Sequence, residues 1–242
     1  MAKKNTWKTI GRFAWELFKD SFGSTLTYLC TGTLLMIFTY DENALAWSSE
    51  KLTWIIICAA FAIGYNIFVA HTVGSTGYEM LVSGNLKRKM STEEESFISP
   101  KNYAREYRPW KGWVMGIMTA SITLILSLLC GRYQAYIDGK LYHKYAQVLV
   151  SAGAYLSGWS FLPMLYLNKS GVYISYYWGV ALSLIPVLVT GIFYIRGAYT
   201  KRNKAIKAQE EADRQRKAEE EKRLNVRVNY GGLPGTKPKK KR

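Results

Sequence analysis

Residues 145–195 read YAQVLVSAGAYLSGWSFLPMLYLN, then Lys169, then SGVYISYYWGVALSLIPVLVTGIFYI. Charged residues make up 21% of the chain, so even spacing would place about eleven in this stretch; it holds one. A charge-free apolar run of about 20 residues is long enough to cross the hydrocarbon core of a bilayer as a helix. The two halves here have 24 and 26 residues.

Working outward, three more charge-free windows appear, at residues 112–131, 52–78 and 21–40, with lengths of 20, 27 and 20. The fold class that follows is all-α, a polytopic transmembrane helical bundle of five apolar segments. A soluble globular enzyme, a disulfide scaffold and a collagen-like chain are excluded. The net charge of +16 suggests a basic soluble protein only when averaged over two unlike parts of the chain. The five segments are not equally good spans. Gly153, Ser157, Gly158 and Pro163 interrupt the fourth, which marks it as the candidate re-entrant segment. Pro186 is expected to kink the fifth.

Three regions follow. Residues 1–20 form an amphipathic helix with Lys8, Arg12, Glu16 and Asp20 on one face and Trp7, Ile10, Phe13 and Leu17 opposite, a pattern suited to lying in the membrane interface. Residues 21–195 form the bundle, with a polar loop at 79–111. There Ser91 or Thr92 can cap a short helix that Pro100 ends. Arg108-Pro109-Trp110-Lys111 then reads as an interfacial anchor. Residues 196–242 form a charged, solvated helix followed by a basic tail, expected in the cytoplasm. Ala44-Leu45-Ala46 resembles a signal-peptide cleavage site. The run of 20 before it is too long for a signal core, and Asp41, Glu42 and Asn43 intervene, so the segment is read as retained.

The basic residues carry an orientation signal that conflicts with the span count. Of the 33 Lys and Arg, five precede the first window, seven lie in the 79–111 loop and sixteen follow the last window. The positive-inside tendency groups these 28 on one side. That grouping needs an even number of crossings, and there are five windows.

Marks of chemistry are sparse. No Asp, Glu, Lys or Arg lies within a window, although such groups mark proton and ion paths. Cys30, Cys58 and Cys130 each fall inside a window and read as small packing residues. With only His71 and His143 and no ligand spacing, neither a metal site nor a cofactor is expected. Gly74-Ser75-Thr76-Gly77 lacks the spacing of a nucleophile elbow, so no catalytic residue is assigned. Asn66 and His71 are the candidate polar lining of a path through the bundle. Small residues spaced by four, Ala60/Gly64, Gly112/Gly116 and Ala154/Gly158, allow close helix approach.

Lys87, Arg88 and Lys89, with Lys237, Lys239, Lys240, Lys241 and Arg242 in the tail, are the candidate contacts for anionic lipid headgroups or a partner. Nucleic acid is not the expected partner, because the tail lacks interleaved aromatics. The expected role is a non-enzymatic membrane scaffold or accessory subunit, acting on the lipid bilayer with a membrane or cytosolic protein or as a homo-oligomer. The alternative is a small transporter or channel component. The expected location is the plasma (inner) membrane of a bacterium, with the C-terminus cytoplasmic.

Overall fold

A computed structural model describes residues 2–39, 47–90, 105–139 and 145–230, with side chains over 10–39, 47–84, 105–139 and 145–223. The described residues form helices α1 (Ala2–Thr39), α2 (Ser49–Met90), α3 (Pro109–Arg132), α4 (Gln134–Ile137), α5 (Ala146–Lys169) and α6 (Trp178–Tyr230). All but α4 are long and apolar enough to cross a membrane. The protein is an all-α transmembrane bundle, as its charge-free windows require.

The helices extend beyond those windows. The N-terminal amphipathic stretch is continuous with the first apolar segment as one 38-residue helix. No proline separates the two, and a lone Gly23 costs only about 1 kcal/mol in a helix. Likewise α2 continues to Met90, well into the polar connection. Pro109 opens α3 at a position where its missing N–H costs nothing, after Arg108 in extended conformation (φ −146, ψ 129). The short helix expected at Ser91–Pro100 lies outside the described residues.

Close pairs fix the directions. Along α3 and α6, Gly112 meets Tyr194, Gly116 meets Val187, Ser127 meets Gly179 and Gly131 meets Tyr177, so these helices run antiparallel. Along α2 and α6, Asn66 pairs with Thr190 and Ser75 with Gly197, so these run parallel. One end of the bundle carries Arg105, paired with Glu16 of α1, together with Tyr107, bonded to Gly77 of α2. The other carries Asp138, bonded to Tyr176 just before α6, and Tyr166, which bonds Thr39 of α1 and lies under Lys51 of α2. Helices α1, α2, α3 and α6 each run from one end to the other.

Helix α5 does not. Its backbone leaves helical geometry at Ser157 (φ −136, ψ 25). Phe161 Cγ lies 2.9 Å from the Cβ position of Gly153. That limits the Cα separation to about 7 Å, where eight residues of straight helix would span about 12 Å. The chain reaches α5 from the Asp138 end, where Gln134 Nε2 donates to the Ile174 carbonyl at 3.2 Å. It leaves at the same end, where the Trp47 N–H donates to Ser170 Oγ at 2.6 Å. The fourth apolar segment is therefore re-entrant, and four helices traverse the bundle.

The bend lies at mid-depth. Gly158 abuts Gly32 of α1, and Trp159 packs on Tyr28 with ring centroids 5.2 Å apart. Non-helical backbone at that depth must be enclosed in protein, and Ser157, Gly158, Trp159 and Ser160 are all buried. Ser160 Oγ donates to the Ser157 carbonyl at 3.1 Å, which occupies an acceptor freed by the bend. The main core cluster gathers around α5, with Leu35, Ala62, Cys130, Leu162 and Tyr176. A smaller one holds Leu17, Met115 and Tyr194 toward the Arg105 end.

Residues 1–199 form one compact unit and 200–242 a second. In the second unit the side chains of residues 202–223 are exposed throughout, so no apolar face supports that part of α6 and its helicity rests on local propensity.

Candidate functional site

Asn66 is fully buried. Its Nδ2 donates to Tyr28 Oη at 3.4 Å. Its Oδ1 stands 3.1 Å from Thr190 Oγ1, whose one proton is shared with the Pro186 carbonyl at 2.7 Å. The amide thus joins α1, α2 and α6. Interhelical hydrogen bonds of this kind contribute on average about 0.6 kcal/mol in membrane proteins, and removing one partner strands a buried polar group.

His71, partly buried, lies five residues farther along α2, where α6 comes close. There the Gly197 backbone comes against the His71 carbonyl, and Ser75 Oγ donates to the Gly197 carbonyl at 3.0 Å. Gly74 meets the Tyr194 backbone and Gly77 the 105–107 segment. The Gly74-Ser75-Thr76-Gly77 stretch is where α2 packs against α6 and the chain leading into α3. Trp159 Nε1, beside the α5 bend, and Ser24 Oγ on α1 are buried without a hydrogen-bond partner among the described residues.

The Arg105 end concentrates charge. Glu16 accepts from Arg105 Nε at 3.1 Å and from Lys19 Nζ at 3.3 Å. Lys111, 3% exposed, donates to the Glu106 carbonyl at 2.5 Å and lies over the Phe13 ring. Glu106 is also buried, its carboxylate set against Gly84. The Tyr107 N–H donates to the Gly77 carbonyl at 2.9 Å, and its ring stacks on Tyr194. Burial, then the neighbouring Tyr199 phenol, hold the Tyr107 hydroxyl above its ordinary pKa. Between α1 and α2 at this end is a cavity of about 290 Å³.

This constellation was not legible in the sequence. The spacing of four aligned Glu16 with Asp20, but Arg105 lies 89 residues from Glu16, and only the folded bundle brings them together. Of the basic residues singled out from sequence, Lys87, Arg88 and Lys89 belong to the last turns of α2, and their side chains lie outside the described residues. Lys237, Lys239, Lys240, Lys241 and Arg242 lie outside them altogether. No cluster of three or more His, Cys, Asp or Glu able to hold a metal occurs among the described residues. No protein-family model, curated protein or solved structure matches the chain.

Proposed function

We propose that the protein is a non-enzymatic membrane scaffold or accessory subunit. Its basic C-terminal segment engages anionic lipid headgroups or a protein partner at the cytoplasmic face of a bacterial plasma membrane. The observation that carries this reading is the return of α5. With four traverses instead of five, the N-terminal part of α1, the connection after α2 and the exit of α6 at Tyr199 share one end of the bundle. The segments that hold 28 of the 33 Lys and Arg residues then group as the positive-inside tendency requires. Residues 196–242 contribute sixteen basic and six acidic residues. A basic residue held near an anionic surface gains about 1 kcal/mol, so a few such contacts suffice for stable attachment.

Deleting residues 197–242 should abolish binding of the purified protein to anionic liposomes, or to a protein that co-purifies with it. Persistence of both in the truncated chain sinks the proposal. A second reading, a small transporter or channel component, is favoured by the re-entrant α5 and by Trp159 Nε1 at its bend, which has no hydrogen-bond partner among the described residues, since broken helices at mid-depth line substrate paths in transporters. Solute flux into proteoliposomes that survives loss of the tail would favour that reading.

A further inference from the structure

The cavity at the Arg105 end has a charge pattern that the tail does not explain. Glu16, Lys19, Asp20 and Arg105 line it, two acids and two bases with no net charge. Glu16 is committed to both Lys19 and Arg105. Asp20, by contrast, is partly buried and makes no hydrogen bond or close ion pair among the described residues, although the charges of Lys111, Arg105 and Lys19 attract it and that of Glu16 repels it. A carboxylate withdrawn from water without a hydrogen bond costs stability. Among the described residues Arg105 bonds through Nε alone, which leaves its terminal amino groups as donors. Asp20 lies one helical turn past Glu16 toward the bundle interior, about 6 Å along α1. The cavity lining therefore sets an acceptor, Asp20, one helical turn beyond Glu16, to which the half-exposed donor Arg105 bonds.

The remaining polar lining sharpens the acceptor pole. Thr72 Oγ1 gives its proton to the Phe68 carbonyl and Thr76 Oγ1 gives its proton to the Thr72 carbonyl, each at 2.9 Å. Both hydroxyl oxygens can then only accept. A carboxylate in a cavity that two accepting hydroxyls also line suits a group rich in N–H donors. A simple anion is repelled by Asp20 and Glu16, and a simple cation by Arg105 and Lys19, so discrimination is built in by repulsion as well as attraction.

We propose that this cavity binds a small zwitterion, a primary ammonium with an anionic group a few bonds away. The ammonium lies against Asp20, Thr72 and Thr76, and the anionic group lies on the terminal amino groups of Arg105. The volume of about 290 Å³ lies at the small end of ligand sites and suits a headgroup or an amino-acid-sized molecule. The same chemistry is offered by a phosphatidylethanolamine headgroup from the bilayer and by a free amino acid or phosphoethanolamine from the aqueous side.

The test uses full-length protein in nanodiscs. Saturable binding is measured for phosphatidylethanolamine against phosphatidylcholine and phosphatidylglycerol in one arm, and for soluble phosphoethanolamine and alanine in the other. The primary amine should be preferred over the quaternary amine, which has no N–H, and over the anionic lipid. Asp20→Asn and Arg105→Gln should each weaken binding by about tenfold or more, the scale of a lost charge-assisted hydrogen bond, while Asp20→Glu retains part of it. Selectivity in the lipid arm alone assigns the site to the bilayer, and selectivity in the soluble arm alone assigns it to the aqueous phase. Equal binding of all three lipids with no soluble ligand bound overturns the proposal, whether or not the variants fold. Unchanged affinity in a folded Asp20→Asn protein also overturns it.

Discussion

At the scale of single residues, the glycines separate sites that look alike in sequence. A Cβ on Gly158 would stand 2.8 Å from the Gly32 carbonyl oxygen, and one on Gly116 would stand 2.7 Å from Val187 Cα. Both are backbone atoms and cannot turn aside. Gly64 has nothing within 4 Å and faces outward on α2. Gly158→Ala and Gly116→Ala should therefore lower stability in detergent by roughly 1–3 kcal/mol through overpacking, whereas Gly64→Ala should be neutral or stabilising by up to about 1 kcal/mol. Thermal unfolding of the three variants checks this, and a Gly64 variant as damaged as the other two would contradict it. The sequence presents Ala60/Gly64, Gly112/Gly116 and Ala154/Gly158 as equivalent pairs, because spacing reports which residues share a helix face but not which face meets another helix. Asn66 is a parallel case. Its polarity within an apolar run is plain, but its partners Tyr28 and Thr190 lie 38 and 124 residues away.

At the scale of elements, α5 decides the topology. Its weakness as a span was legible in Gly153, Ser157, Gly158 and Pro163, yet those residues also suit a kinked helix that crosses. The break occurs at Ser157, six residues before the proline. The reason is tertiary, since Gly158 must lie against Gly32 and Trp159 against Tyr28. Pro163 is accommodated within the second arm. Single cysteines in a background lacking Cys30, Cys58 and Cys130 test the return directly. Arg132→Cys and Tyr173→Cys flank α5 and should react with a membrane-impermeant maleimide from the same side. Ser83→Cys and Tyr199→Cys should react from the other. Opposite sidedness for positions 132 and 173 would mean that α5 crosses, contrary to the fold described above.

At the scale of the whole molecule, four traverses and one return reconcile five apolar segments with the distribution of basic charge. Reporter fusions at both termini should give the same, cytoplasmic, sidedness, and opposite signals would remove the ground for the proposed orientation. Binding of the tail to anionic vesicles should also weaken steeply as salt rises, because exposed charges are screened over about 8–10 Å near physiological ionic strength. The sequence by itself determined the solvent of each part. Charge-free windows belong in lipid and the charged remainder in water, because burying an ion in hydrocarbon costs far more than local preference can offset. It also determined which regions are helical, since a chain in lipid must satisfy its own backbone hydrogen bonds. Only the tertiary structure decided that the fourth segment turns back, and that Arg105 closes on Glu16 beside Asp20. Both depend on contacts between residues far apart in the chain, and a one-dimensional pattern does not encode which of many similar apolar faces will pack together.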